Sequence, residues 1–143
     1  MIPFLVDMAK LYELFVAEWL EAHLPSGFVV RPQVEVALGR GGRIKFKIDL
    51  VVYDRETQKE KALFVLDTKY KAPDRPGNDD ISQVVTYANI KDCQEAVLIY
   101  PTPLNLDVMI GKIRVRSLTF SLDGDLEQAG SRFLDDLLSG EDR

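Results

Sequence analysis

The chain has 143 residues, 46% hydrophobic and 29% charged, with a formal net charge of −5, which fits a single soluble α/β-sized domain spanning residues 1–143 with enough core to fold unstapled. Its apolar runs fall far short of the roughly 20 residues that span a bilayer, and its N-terminus lacks the basic region of a secretory signal. One cysteine, Cys93, excludes an internal disulfide and any four-cysteine zinc or iron–sulfur centre, so the expectation is a cytoplasmic protein without a membrane partner.

Residues 7–24 place apolar side chains at 8, 11, 12, 15 and 19, a helical spacing. Asp7 reads as the N-cap and Pro25-Ser26-Gly27 as the stop. Glu13 lies at the edge of the apolar stripe, and spacing alone puts it on the surface with Glu18 and Glu21. His23, the only histidine, reads as a C-terminal capping or surface residue. Residues 28–38 read as a strand with an irregularity at Pro32, and Gly39-Arg40-Gly41-Gly42 as a hairpin turn. Residues 43–54 return as a strand that alternates at first and is then apolar on both faces, the pattern of a strand entering a covered sheet. After a polar turn over 55–61 comes a third strand, 62–70.

The segment Ala72 to Asn78 breaks the chain. A helix follows over 79–91, with acids in its first turn where the helix dipole favours them. Cys93 reads as a buried structural thiol. Residues 95–101 form a short buried strand, 113–122 an alternating one, and 125–138 an acidic third helix. The order helix, three strands, helix, two strands, helix predicts an α/β sandwich with a mixed central sheet.

Charge is uneven. Residues 31–71 carry ten Lys and Arg against six acids, and the remainder eight against seventeen. The middle can therefore face a phosphate backbone while the ends cannot. The plainer reading of Arg40, Arg43, Lys45 and Lys47 is a solvated hairpin. No segment offers an obvious helix or ribbon for reading base edges.

Two carboxylates interrupt core-like runs: Asp49 in Ile48-Asp49-Leu50-Val51-Val52, and Asp67 in Leu66-Asp67-Thr68-Lys69. A buried carboxylate needs a cation, a metal or hydrogen bonds. Asp67 and Lys69 share one strand face, and Asp49 reaches Asp67 if the second and third strands form a hairpin. Two converging carboxylates beside an ammonium suit Mg²⁺, which prefers hard oxygen ligands. The alternative is a lysine that merely satisfies an acid. On the next helix Gln83 and Tyr87, four apart, share a face, with Asp80 on about the same side.

Taken together, Asp49, Asp67-Thr68-Lys69 and Gln83-Val84-Val85-Thr86-Tyr87 resemble the PD-(D/E)xK nuclease superfamily, and the Q-x-x-x-Y helix its RecB-like branch. LVDMAKLYELFVAEWL (5–20), FKIDLVVYD (46–54), LDTKYK (66–71), DISQVVTYA (80–88) and AVLIYP (96–101) are similar to the McrC-like nuclease domains of 5-methylcytosine-specific restriction systems, over about residues 4–120. The resemblance implies a restriction-endonuclease-like three-layer core and a Mg²⁺-dependent DNA endonuclease, with Mn²⁺ as a substitute ion. It implies that Asp49, Asp67 and the Thr68 backbone carbonyl hold the metal, with Glu13 supporting it through water. Lys69 would orient the attacking water, and Gln83 and Tyr87 would place the scissile phosphate. Lys71, Arg43 and Lys45 are the further DNA-binding candidates. The implied partners are double-stranded DNA and a McrB-like AAA+ GTPase subunit that supplies specificity and timing. Two competing readings are a partner-independent, resolvase-like nuclease and a non-catalytic nuclease-fold interaction module.

Overall fold

The computed structural model describes residues 7–56, 61–71 and 77–139. Leu5, Val6, most of the 55–61 turn, Ala72 to Pro76 of the chain break, and the terminal acids Glu141 and Asp142 lie outside the described residues. Helix α1 (Met8–His23) is followed by strands β1 (Phe28–Leu38), β2 (Ile44–Asp54) and β3 (Lys61–Thr68). Then come α2 (Asn78–Ile90), β4 (Glu95–Tyr100), β5 (Asp107–Ile110), β6 (Ile113–Thr119) and α3 (Leu126–Ser139).

The predicted elements are present within a few residues of their expected ends. Asp7 caps α1, its carboxylate accepting from the Lys10 amide at 3.1 Å. His23 bonds the Trp19 carbonyl at 2.8 Å from the last turn of α1 and stacks on the Trp19 indole. Cys93 is buried. The difference is β5, a strand the sequence does not announce. All four of its residues are exposed, so it shows no inside–outside alternation.

The six strands lie in the order β1-β2-β3-β4-β6-β5. The β1–β2, β2–β3 and β5–β6 pairs are antiparallel, and β3–β4 and β4–β6 are parallel. A parallel pair needs a crossover, and α2 supplies it between β3 and β4. Helices α1 and α3 cover one face through Leu50, Val52, Phe64, Leu66, Val97 and Ile99. Helix α2 covers the other through Val51, Val65, Ala96, Leu98 and Val115. Burial on both faces is why β3 and β4 read as continuous apolar runs. No described helix is long and apolar enough to cross a membrane.

The first hairpin changes faces midway. Leu50 and Val52 point toward α1, yet Ile48, two residues earlier, points toward α2. On β1, Val30 faces α1 while Val34 and Val36 face α2. The pairing register is unbroken, Pro32↔Leu50 on one side and Val34↔Ile48 on the other. Both strands therefore turn over at Gln33 and Asp49, and Gln33 has a left-handed backbone, φ 53°. A non-glycine residue there is uncommon and marks a local constraint. The irregularity expected at Pro32 falls one residue later.

Helix α3 is fastened at its last turn. The buried Arg116 donates to the carbonyls of Asp136 and Leu137, both at 2.7 Å, groups that a helix end otherwise leaves unpaired. Nearer its start, Gly130 lies against Trp19, where an added Cβ would collide with the indole ring carbons. Helix propensity alone favours alanine over glycine by about 1 kcal/mol. Overpacking a closed core costs about 1–3 kcal/mol, and here it dominates. Gly130→Ala is expected to lower the urea midpoint; a midpoint at or above the parent's would show that the Trp19 ring gives way.

Candidate active site

The shared register of β2 and β3 begins at Leu50↔Leu66. One residue further out, the turn-over at Asp49 and the end of β3 bring Asp49, Asp67 and Thr68 together. Asp49 Oδ2 accepts from the Thr68 amide at 3.1 Å and from the Thr68 hydroxyl at 3.2 Å. Asp67 is 5% exposed. Burial, and then the adjoining Asp49 carboxylate, push Asp67 up to about 7; the Lys69 ammonium pulls the other way and is outweighed. Asp67 Oδ2 lies 2.9 Å from Lys69 Nζ, but that ion pair leaves the oxygen without a well-directed hydrogen bond among the described residues.

Lys69 is pinned through its amide, which donates to the Ile99 carbonyl of β4 at 2.8 Å. Its ammonium also sits 3.3 Å from Asp80 and 3.4 Å from Gln83 Oε1. Burial alone would lower its pKa; Asp67 and Asp80 outweigh burial and raise it. Lys69 is therefore a firmly protonated cation in this setting. Gln83 Nε2 donates to the Tyr87 hydroxyl at 2.9 Å. Tyr87 is buried, with its ring edge toward Phe46 at 6.1 Å between centroids. The Q-x-x-x-Y pair thus works as a unit: the buried tyrosine orients the exposed glutamine, and the glutamine reaches the lysine.

Glu13 is not a plain surface residue. It takes a hydrogen bond from the Gln33 side chain and pairs with Lys10 at 3.7 Å. Burial and contact with Asp49 raise its pKa. The acids thus run as a chain of contacts, Glu13 to Asp49 to Asp67. Its partner Gln33 is far away in sequence, so no helical periodicity could reveal the contact. Lys71 is exposed just after the cluster, and Arg43 and Lys45 are exposed toward the tip of the β1–β2 hairpin.

Three residues join the site without having been assigned a role from sequence. Gln33 holds Glu13. Asp80 pairs with Lys69. Tyr100 ends β4 fully buried, its hydroxyl without a hydrogen-bond partner among the described residues. Burial, then Asp80, push it up to about 12. The available signal was a tyrosine closing the apolar run AVLIY. Beside the cluster, Phe46, Asp79, Ser82, Gln83, Thr86 and Tyr87 line an open cleft of about 290 Å³.

Among the described residues, no three acid, histidine or cysteine side chains converge closely enough to hold an ion by themselves. What the geometry defines is a carboxylate–lysine cluster at the end of a mixed α/β sheet. The profile of the family described as McrBC 5-methylcytosine restriction system component matches residues 1–101. The chain belongs to that family, and so to the components of 5-methylcytosine restriction. No curated protein matches it.

Proposed function

We propose that this restriction component is a Mg²⁺-dependent DNA endonuclease domain of McrC type, built on a PD-(D/E)xK core. The observation that carries this reading is the contact between Asp49 and the buried Asp67, whose Oδ2 lacks a directed hydrogen bond. Juxtaposed, desolvated acids are unfavourable unless a proton or a cation neutralises them, and a bound ion can take the proton's place. Mg²⁺ keeps several waters and needs only one or two carboxylates, so Asp49, Asp67 and the Thr68 carbonyl suffice, with Glu13 supporting them through water. When bound, the ion supplies Lewis-acid stabilisation of the charge that develops on the phosphodiester.

The chain's own residues do the rest. Thr68 fixes Asp49 through its amide and hydroxyl. Lys69, protonated, cannot take the attacking water's proton. It orients that water as a donor and offsets charge at the phosphate, as a preorganised cation does. Asp80 and Gln83 hold the Lys69 ammonium in place, and Gln83 adds a donor for the scissile phosphate. Double-stranded DNA is the substrate, and membership of a multi-component restriction family supports a McrB-like AAA+ GTPase subunit as the partner.

Manganese binding tests this reading. The folded apo protein holds a proton on Asp67 up to about pH 7, and an ion must displace it. Mn²⁺ affinity is therefore expected to rise with pH through 7, with proton release in calorimetry, and anomalous diffraction should place the ion between Asp49 and Asp67. Failure to bind Mn²⁺ at pH 8, with and without duplex DNA, would remove the metal site.

A further inference from the structure

The β1–β2 hairpin outruns the rest of the sheet. β1 is an edge strand, and β2 meets β3 only from Leu50 onward. The pairs from Val34↔Ile48 to Leu38↔Ile44 form a two-stranded ribbon that no third strand joins, roughly 15 Å long at about 3.4 Å per residue. Its root is Asp49 itself.

The turn-over at Gln33 and Asp49 gives the ribbon two unlike faces. Val34, Val36 and Phe46 are half-buried toward α2. Glu35, Ala37, Lys45 and Lys47 are exposed on the other face, and Arg40 and Arg43 flank the tip. Over residues 34–48 four cations meet a single acid, although the whole chain is acidic. None of the four is ion-paired among the described residues. Unpaired cations on a projecting ribbon complement a polyanion, and such a ribbon fits the roughly 12 Å major groove of B-DNA but not the roughly 6 Å minor groove.

We infer that residues 34–48 form a docking ribbon that enters the major groove and thereby selects the phosphate delivered to Asp49 and Asp67. The delivery step rests on the nuclease reading; the docking does not. Duplex binding followed by fluorescence anisotropy across a salt series, without divalent metal, tests it. In R43Q/K45Q/K47Q the alkyl stems remain and three charges go. The slope of log Kobs against log salt is expected to fall by about 0.9 for each phosphate no longer neutralised, roughly 2.7 for all three. Protection of guanine N7 from dimethyl sulfate, present with the parent chain, is expected to disappear.

An unchanged slope, or no duplex binding by the parent chain, overturns the ribbon. A changed slope with no N7 protection by the parent chain puts the cations on the backbone and overturns groove entry. Hydrolysis of bis(p-nitrophenyl) phosphate by the parent chain with Mn²⁺ examines the catalytic site alone. No turnover there, with the slope change intact, overturns the nuclease reading while the docking ribbon stands.

Discussion

At pH 8, Asp67→Asn is expected to melt above the parent chain when no metal is present, and with Mg²⁺ to lose DNA cleavage by about a thousandfold or more, the scale of several kcal/mol of metal-supplied stabilisation. The same carboxylate drives both effects. Burial and Asp49 raise its pKa from 3.8 to about 7. Between those two pH values the unfolded chain has released the proton while the folded chain keeps it, so stability falls as pH rises. Above about 7 the carboxylate is ionised in both states and the full penalty persists. Asparagine keeps the shape and removes the charge, but it also loses the Lys69 ion pair. A net gain remains, because burial and Asp49 together outweigh Lys69 in raising the Asp67 pKa. It shrinks as pH falls and vanishes near 4. Added Mg²⁺ should stabilise the parent chain at pH 8 and leave the variant unmoved. Thermal scans that found Asp67→Asn less stable at pH 8 would mean that the Lys69 pair outweighs Asp49.

Lys69→Ala is expected to reduce cleavage by roughly 10²- to 10³-fold, the range for a preorganised charge-stabilising donor. Mn²⁺ binding should survive at alkaline pH, because the carboxylates remain. The acid limb of the pH–rate profile should move upward, since Lys69 opposes the rise in the Asp67 pKa. Lys69→Arg should not restore the rate: a planar fork does not replace a compact ammonium held by two carboxylates and an amide. Cleavage near the parent rate in Lys69→Ala would take the lysine out of the reaction, whatever the metal does.

The strands and helices that bury a face were legible because burial leaves a period. The acids inside apolar runs singled out Asp49 and Asp67, and the spacing of Gln83 and Tyr87 put both on one helix face. What stayed hidden had no local signature. β5 buries nothing, so nothing alternates. Glu13 looked exposed because its partners, Gln33 and Asp49, come from a hairpin that one-dimensional spacing cannot place. Spacing puts Tyr87 on the face of Gln83 but does not show that its ring fills the core beside Phe46 and that only its hydroxyl reaches the site. The turn-over at Gln33 was the least visible. It is a backbone event at a glutamine, next to a proline that is the stronger local signal. It also explains why no ribbon is evident in the sequence: the cations alternate with apolar residues as in any sheet strand, and β3 stops pairing with β2 before reaching them.

That turn-over separates two regions with different tolerance for change. Beyond it, the ribbon can lengthen or shorten by matched pairs of residues in each strand, since a shift of two restores both face and register while a shift of one reverses every side chain. Before it, Asp49 is fixed by Thr68 and cannot follow. The hairpin can therefore change its reach and charge in steps of two per strand while the contact of Asp49 with Thr68 stays as it is, so under the proposed reading DNA docking and bond cleavage are separable within one continuous pair of strands.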